Sequence, residues 1–131
     1  MTDSHVPFQT VIEALLDGKD FPRRYIQYFS DIDPASLSLL MQAWPKVKPS
    51  RKRSLLKQME ANLEEDTLAS YDDLARALLT DPDSSIRAAA IRLLAESGDP
   101  KLVPSLVKIL EADEDSATRA EAATALGQFV M

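Results

Sequence analysis

The stretch DPDSSIRAAAIRLLAESGDP, beginning at Asp81, is echoed by DEDSATRAEAATALGQ, beginning at Asp113, and this echo constrains the fold more than any other feature of the chain. A shift of 32 residues carries Asp81 onto Asp113, Asp83 onto Asp115, Ser84 onto Ser116, Arg87 onto Arg119, Ala88 onto Ala120, Ala90 onto Ala122 and Leu94 onto Leu126. Each copy opens with acidic residues whose carboxylates can accept from the free amides of a helix's first turn, at the positive end of its dipole. Behind the cap, Ile86, Ala90, Leu93 and Leu94 recur at helical spacing, and the alanines let a neighbouring helix approach closely. Between the copies, Gly98 can take the left-handed conformation that ends a helix, Asp99 can cap the next, and Pro100 suits its first turn. Leu102, Val103, Leu106, Ile109 and Leu110 then form an amphipathic stripe. One unit is therefore a helix pair, and the period is that of an α-solenoid, in which each pair buries its apolar face on the next.

A more diverged unit lies upstream. In DIDPASLSLLMQAWP, Asp33 can cap, Pro34 falls in the first turn, and Leu37, Leu40 and Met41 share a face; PSRKRSLLKQMEANLEED then places Leu55, Leu56, Met59 and Leu63 inside a second helix. Arg53 is the candidate counterpart of Arg87 and Arg119. The stretch ASYDDLARALLTD supplies the first helix of the middle unit, with Ser70 and Asp73 spaced as a capping box and Tyr71, Leu74, Ala75 and Leu78 as its buried stripe. The spacing predicts helices over 34–43, 50–65, 70–80, 84–97, 100–112 and 116–129, paired as 34–65, 70–97 and 100–129. Six of the eight aromatics lie in the first 44 residues. There Phe8, Val11, Ile12, Leu15 and Leu16 form a stripe ended by Gly18, and Pro22 opens a short helix with Tyr25, Ile26 and Phe29. Because a terminal solenoid unit needs one face to stack and one to meet water, residues 7–30 read as an N-terminal helical cap. Residues 1–6 read as a flexible tail, and 7–131 as one domain.

The acidic-Pro-acidic run Asp81-Pro82-Asp83, followed by a small apolar residue, an arginine and an alanine-rich helix, resembles a HEAT repeat, in the short form typical of phycobilisome-lyase-type HEAT-like proteins. The resemblance covers residues 70–129. The second copy departs from it, with Glu114 in place of Pro82 and Thr118 where valine or isoleucine is usual. The resemblance implies an all-α, right-handed stack of three helix pairs behind the cap, serving as an interaction scaffold rather than a catalyst. It further implies that the second helices line a concave partner surface. The polar stripe there would hold Lys57 and Gln58 in the first unit, Ala89, Arg92 and Glu96 in the second, and Glu121, Thr124 and Gln128 in the third. Arg87 and Arg119 resemble the family's ladder arginines, which bond acidic residues of adjacent turns; Asp83 and Asp115, with Asp81 and Asp113, offer those carboxylates.

Chemistry of other kinds finds few residues. Cysteine is absent, and the one histidine, His5, sits in the polar tail. HEAT-like enzymes that hold iron through His-Glu pairs need several histidines. The acidic runs DEDS and EED fall at helix ends, where carboxylates cap, and the three glycines are scattered singly, so no phosphate loop exists. No catalytic residue, metal or cofactor is expected. Charge is more informative. Residues 1–59 carry 9 basic and 6 acidic side chains, against 6 and 15 in residues 60–131. The positive pole, KVKPSRKRSLLK, contains Lys46, Lys48, Arg51, Lys52 and Lys57, a candidate contact for an acidic partner. Nucleic acid fits poorly, since the other half is acidic and no stacking aromatics accompany the cluster. No apolar run approaches a membrane span, and the N-terminus lacks a secretory signal, so a cytoplasmic protein is expected. The expected function is a scaffold that binds an unidentified protein on its concave surface. Two rivals are an accessory chain of a bilin lyase or isomerase holding a tetrapyrrole, and a structural fragment of a longer multi-repeat protein. A last helix bearing Ala122, Ala123, Leu126, Phe129 and Val130 also suggests a weak homodimer through residues 116–131.

Overall fold

Aspartates and prolines divide the chain where they stand in the sequence, and the computed structural model, which describes residues 6–129, is helical throughout that range. Seven α-helices follow in order: α1 (Phe8–Leu16), α2 (Pro34–Ala43), α3 (Pro49–Glu65), α4 (Asp72–Leu78), α5 (Ser84–Ala95), α6 (Val103–Ala112) and α7 (Ser116–Gly127). Three 3₁₀ segments, Arg23–Phe29, Trp44–Lys46 and Pro100–Leu102, join them, and no strand occurs among the described residues. The fold is all-α, built of packed helix pairs consistent with a repeat stack. Its helices begin at caps: Asp33 accepts from the Ser36 amide at 2.7 Å, Asp83 from Ser85 at 2.8 Å, Asp99 from Lys101 at 3.0 Å and Asp115 from Thr118 at 2.8 Å. Each satisfies an amide that the helix cannot.

The helix α4 packs on α5 and α6 on α7, while α3, α5 and α7 lie side by side as one layer. Flanked by α3, α4 and α7, α5 is buried on nearly every side: Ile86, Ala90, Ile91 and Leu94 are inaccessible to water. Its run Ala88-Ala89-Ala90 removes the bulk that would hold neighbouring backbones apart. At the other end α1 packs on α2, and the Arg23–Phe29 segment packs on α3. This end is knit by aromatic edges, Phe8 on Phe29 at 5.8 Å, Phe21 on Tyr25 at 5.7 Å and Tyr25 on Tyr28 at 5.9 Å, the geometry that ring quadrupoles favour.

Four expectations need correction. The helix expected over 100–112 is broken into a 3₁₀ turn and α6, because Pro104 has no amide to continue the turn that Pro100 begins. The capping box at Ser70 and Asp73 does not form. Ser70 instead donates its amide to Ser30 Oγ at 2.9 Å and accepts from the Asp31 amide at 2.8 Å, tying α4's entry to the cap, and α4 starts at Asp72. The helix expected over 84–97 stops at Ala95, while Gly98 takes the left-handed φ, +65°, expected of it and turns the chain toward Pro100. Val6, assigned to the tail, donates its amide to the Tyr28 hydroxyl at 3.1 Å and packs on the core. His5 and Val130 lie outside the described residues.

Candidate functional site

The repeat's polar residues meet between units. Arg87 projects from the first turn of α5, where its Nη1 donates to the carbonyls of Asp81 at 2.8 Å and Pro82 at 3.2 Å, bracing its own unit's entry turn. Its Nε and Nη2 fork onto the two oxygens of Asp113 in the next unit, at 2.8 and 2.9 Å. Both partners are nearly dry, with side chains 10% and 7% exposed. The guanidinium holds the Asp113 carboxyl below the usual carboxylate range, and the same pairing raises Arg87 further above its ordinary value. Asp113 has a second task, since its Oδ1 accepts the amide of Asp115 and so sets the cap of α7.

One unit upstream Asp81 is placed alike, with Oδ2 accepting the amide of Asp83 at 3.0 Å. Its donor is different: the Trp44 indole Nε1 gives to Asp81 Oδ1 at 2.8 Å in a buried contact. The rung aspartates are thus Asp81 and Asp113. Asp83 and Asp115, expected in the ladder, are helix caps instead, and Arg53 reaches Asp83 at 2.9 Å in an exposed pair rather than Asp81. Bonds from Ser85 lower the Asp83 carboxyl, and bonds from Thr118 lower that of Asp115. Arg119 repeats the first half of the pattern, with Nη1 donating to the Asp113 carbonyl at 2.7 Å.

An arginine fork carried from one unit to the aspartate of the next, in a 32-residue register, is the joint of a stacked repeat. Residues 71–130 match the family of HEAT repeats. The matched stretch holds α4 to α7 and both rung aspartates. No curated protein and no solved structure matches the chain. HEAT repeats generally mediate protein interactions, so the exposed faces of the stack become the surfaces of interest. No helix among the described residues is long and apolar enough to cross a membrane, and no group of three or more His, Cys, Asp or Glu there is placed to hold a metal.

Over the α3–α5–α7 layer runs a groove of about 410 Å³ that brings together Arg92, Glu96, Glu121, Thr124 and Gln128. Arg92 stands at its middle, donating Nε to Glu60 at 2.7 Å and Nη1 to Glu121 at 2.8 Å, so one guanidinium crosses three helices. These carboxylates raise its pKa against the opposing cost of burial. From the first unit the groove takes Glu60, Leu63 and Glu64, not Lys57 or Gln58. Aligning Arg53 with Arg87 imposes a 34-residue step; stepping 32 back from Arg92 and Glu96 lands on Glu60 and Glu64. Ala89, expected in the stripe, is buried. Thr118, also missed, is fully buried, its hydroxyl within bonding distance of the Ser84 carbonyl (3.2 Å) and Asp115 Oδ2 (2.7 Å). Thr in an apolar slot after a capping aspartate was the signal for it.

The basic cluster divides by task. Arg51 lies over the Phe21 ring at 5.9 Å and donates to the Lys19 carbonyl, and Lys52 covers the Trp44 ring at 5.3 Å. Lys46, Lys48 and Lys57 are exposed and form no ion pair among the described residues. Gln58 faces away from the acidic groove, lining two others beside Phe21 with Arg23, Arg24, Lys48 and Arg51.

Proposed function

We propose that the chain is a non-catalytic interaction scaffold that holds a basic, extended segment of a protein partner along the groove over α3, α5 and α7. The observation that carries this reading is the charge of the groove. Glu60, Glu64, Glu96 and Glu121 line it against a single arginine, and that arginine is already shared by Glu60 and Glu121. Glu64 and Glu96 are exposed and form no ion pair among the described residues, which leaves two carboxylates of the groove to attract lysines or arginines. A groove that is open to solvent rather than enclosed suits an extended chain better than a compact small molecule. The reading places the protein in the cytoplasm, where a fold stabilised by packing alone needs no oxidising compartment.

The test is a photo-crosslinking side chain placed at Thr124, in the groove, and at Ser105, on the opposite side between α4 and α6. In cells that express the protein, Thr124 is expected to capture a partner through a basic segment that Ser105 does not. Replacing Glu64 and Glu96 together by lysine should abolish that capture while leaving the helical circular dichroism unchanged. Equal capture from both positions, or capture indifferent to the double replacement, overturns the reading.

A further inference from the structure

Two grooves adjoin at the Phe21 ring, on a face of α3 that the acidic groove does not use. One, of about 480 Å³, lies beside the start of α3 and takes in Lys48 and Arg51; the other, of about 580 Å³, lies beside its second half and takes in Arg23 and Arg24. Phe21 and Gln58 line both, so the two make one surface between α3 and the chain from Leu15 to Gln27. On the α3 side Arg51, Ser54, Gln58 and Ala61 follow one another at three and four residues, as one helix face does. The Phe21 ring between the two ends is half-buried, so part of an apolar surface stays open to a ligand.

Charge on this surface is lopsided, with four cations against two acids, Asp20 and Asp66. Arg23 meets Glu65 at 3.5 Å in an exposed pair, whereas Arg24, Lys48 and Arg51 meet no carboxylate among the described residues. The start of α3 adds to the excess. Unlike the aspartate-capped α2, α5 and α7, it has Lys48 at its N-cap and no acid in its first turn, and Arg51, Lys52 and Arg53 stand at the positive end of its dipole. Negative charge brought into the groove would relieve that conflict. The span decides which anion fits. Eleven residues of α3 separate Arg51 from Asn62, about 16 Å of helix rise and the length of about five extended residues. A free phosphate or a single carboxylate reaches one end only. A chain with acids on both sides of an apolar side chain reaches both ends and lays that side chain on Phe21.

We infer that this surface docks an acidic, extended segment of a protein partner, with carboxylates at the Lys48 and Arg51 end and at the Arg23 and Arg24 end and an apolar side chain on Phe21. The surface is separate from the acidic groove and takes a ligand of opposite charge, so its occupancy does not depend on the reading of that groove. The acidic half of a second copy is a poorer occupant, because Asp113 is engaged by Arg87, Asp115 caps α7 and Glu121 is held by Arg92.

The probe is the peptide Glu-Asp-Leu-Asp-Glu, acetylated and amidated at its ends and titrated into the full chain. It should shift the amide resonances of Phe21, Arg24, Arg51, Ser54 and Gln58, with an affinity that falls as salt is added. Its uncharged counterpart, Gln-Asn-Leu-Asn-Gln, should bind about tenfold more weakly, since its exposed ion pairs are lost together. Arg24→Glu with Lys48→Glu, one cation from each end, should weaken the acidic peptide about tenfold and leave the uncharged one unaffected. Lys46→Glu with Lys57→Glu makes the same change of charge outside the groove and should weaken the acidic peptide less than about threefold. Should the first pair of substitutions lose helical circular dichroism, the two peptides on the native chain decide alone. Equal affinity for the two peptides overturns the inference, as does absence of binding at about millimolar peptide, the weakest range of specific association. Equal losses from the two pairs of substitutions also overturn it, because net charge rather than the groove would then be what binds. So does tighter binding of a short single-stranded DNA at the same resonances, which would make this a nucleic-acid surface. Self-association that the first pair abolishes would overturn it too, by making a second copy the occupant.

Discussion

The two halves of the molecule hold an aspartate in the same way with different donors. Between the second and third units a charged guanidinium grips Asp113 through two bonds; between the first and second a neutral indole gives Asp81 one. What is shared is the acceptor: a carboxylate that fixes its own turn through the amide two residues on and turns its other side to the preceding unit. The donor follows its surroundings. In the C-terminal half the neighbours are alanines and short aliphatics, and a long arginine both spans the gap and braces the carbonyls of Asp81 and Pro82. In the N-terminal half the core is aromatic, and a tryptophan buries its ring there at no cost in desolvated charge.

The comparison predicts unequal losses. Arg87→Ala should be the most damaging, by about 3 kcal/mol in urea melts, because it strands a buried carboxylate and frees two carbonyls. A loss no larger than that of an exposed arginine would show that the joint is not where the stack is held. The pH dependence sharpens the same point. Arg87 lowers the Asp113 carboxyl below its unfolded value of about 3.9, so its contribution is present above that pH and disappears as pH falls through the lower folded value. The gap in stability between the native chain and Asp113→Asn should therefore narrow between pH 7 and pH 2, where a gap that held constant would mean the charge is irrelevant.

Trp44→Phe keeps the ring and removes the N–H, and should cost about 2 kcal/mol, the penalty of an unsatisfied buried acceptor. It should fall short of Arg87→Ala, since Asp81 still holds the Asp83 amide; the reverse order would break the comparison. Smaller again is Asp33→Ala. It removes a cap bond at an exposed helix start and should cost about 1 kcal/mol in thermal or urea unfolding, whichever half carries it.

Much of this was legible in the chain. Caps at Asp33, Asp83, Asp99 and Asp115, the ending at Gly98 and the pairing of helices all follow from local chemistry and a period visible by inspection. The rung aspartates were not, because a sequence cannot say which of two acids two residues apart turns toward its own helix and which toward the neighbour. That choice belongs to the stacking. Ser70 misled for a similar reason: its capping pattern was local, but a contact 40 residues away claimed its backbone. Gln58 was misplaced by a two-residue error in register, and on a helix two residues is more than half a turn, whereas Lys57 stands in register with Ala89 and both fall outside the groove.

The smallest predicted effect on stability belongs to Arg92, although it contacts as many carboxylates as any arginine in the chain. Its side chain is 42% exposed and its partners Glu60 and Glu121 are 27% and 30% exposed, so water and salt screen what the guanidinium would gain. Arg92→Ala should therefore cost less than about 1 kcal/mol, and part of that should vanish on adding salt. Unlike Arg87 it leaves no carboxylate dry, since Glu60 and Glu121 can turn to solvent. What the substitution does change is the groove, which becomes wholly acidic. If the groove holds a basic segment, Arg92→Ala should tighten binding of that segment or leave it unchanged while slightly weakening the fold. An Arg92 variant as unstable as Arg87→Ala would instead make the α3–α5–α7 bridge a second joint of the stack, and the division between a buried ladder that holds units together and an exposed face that meets partners would no longer stand.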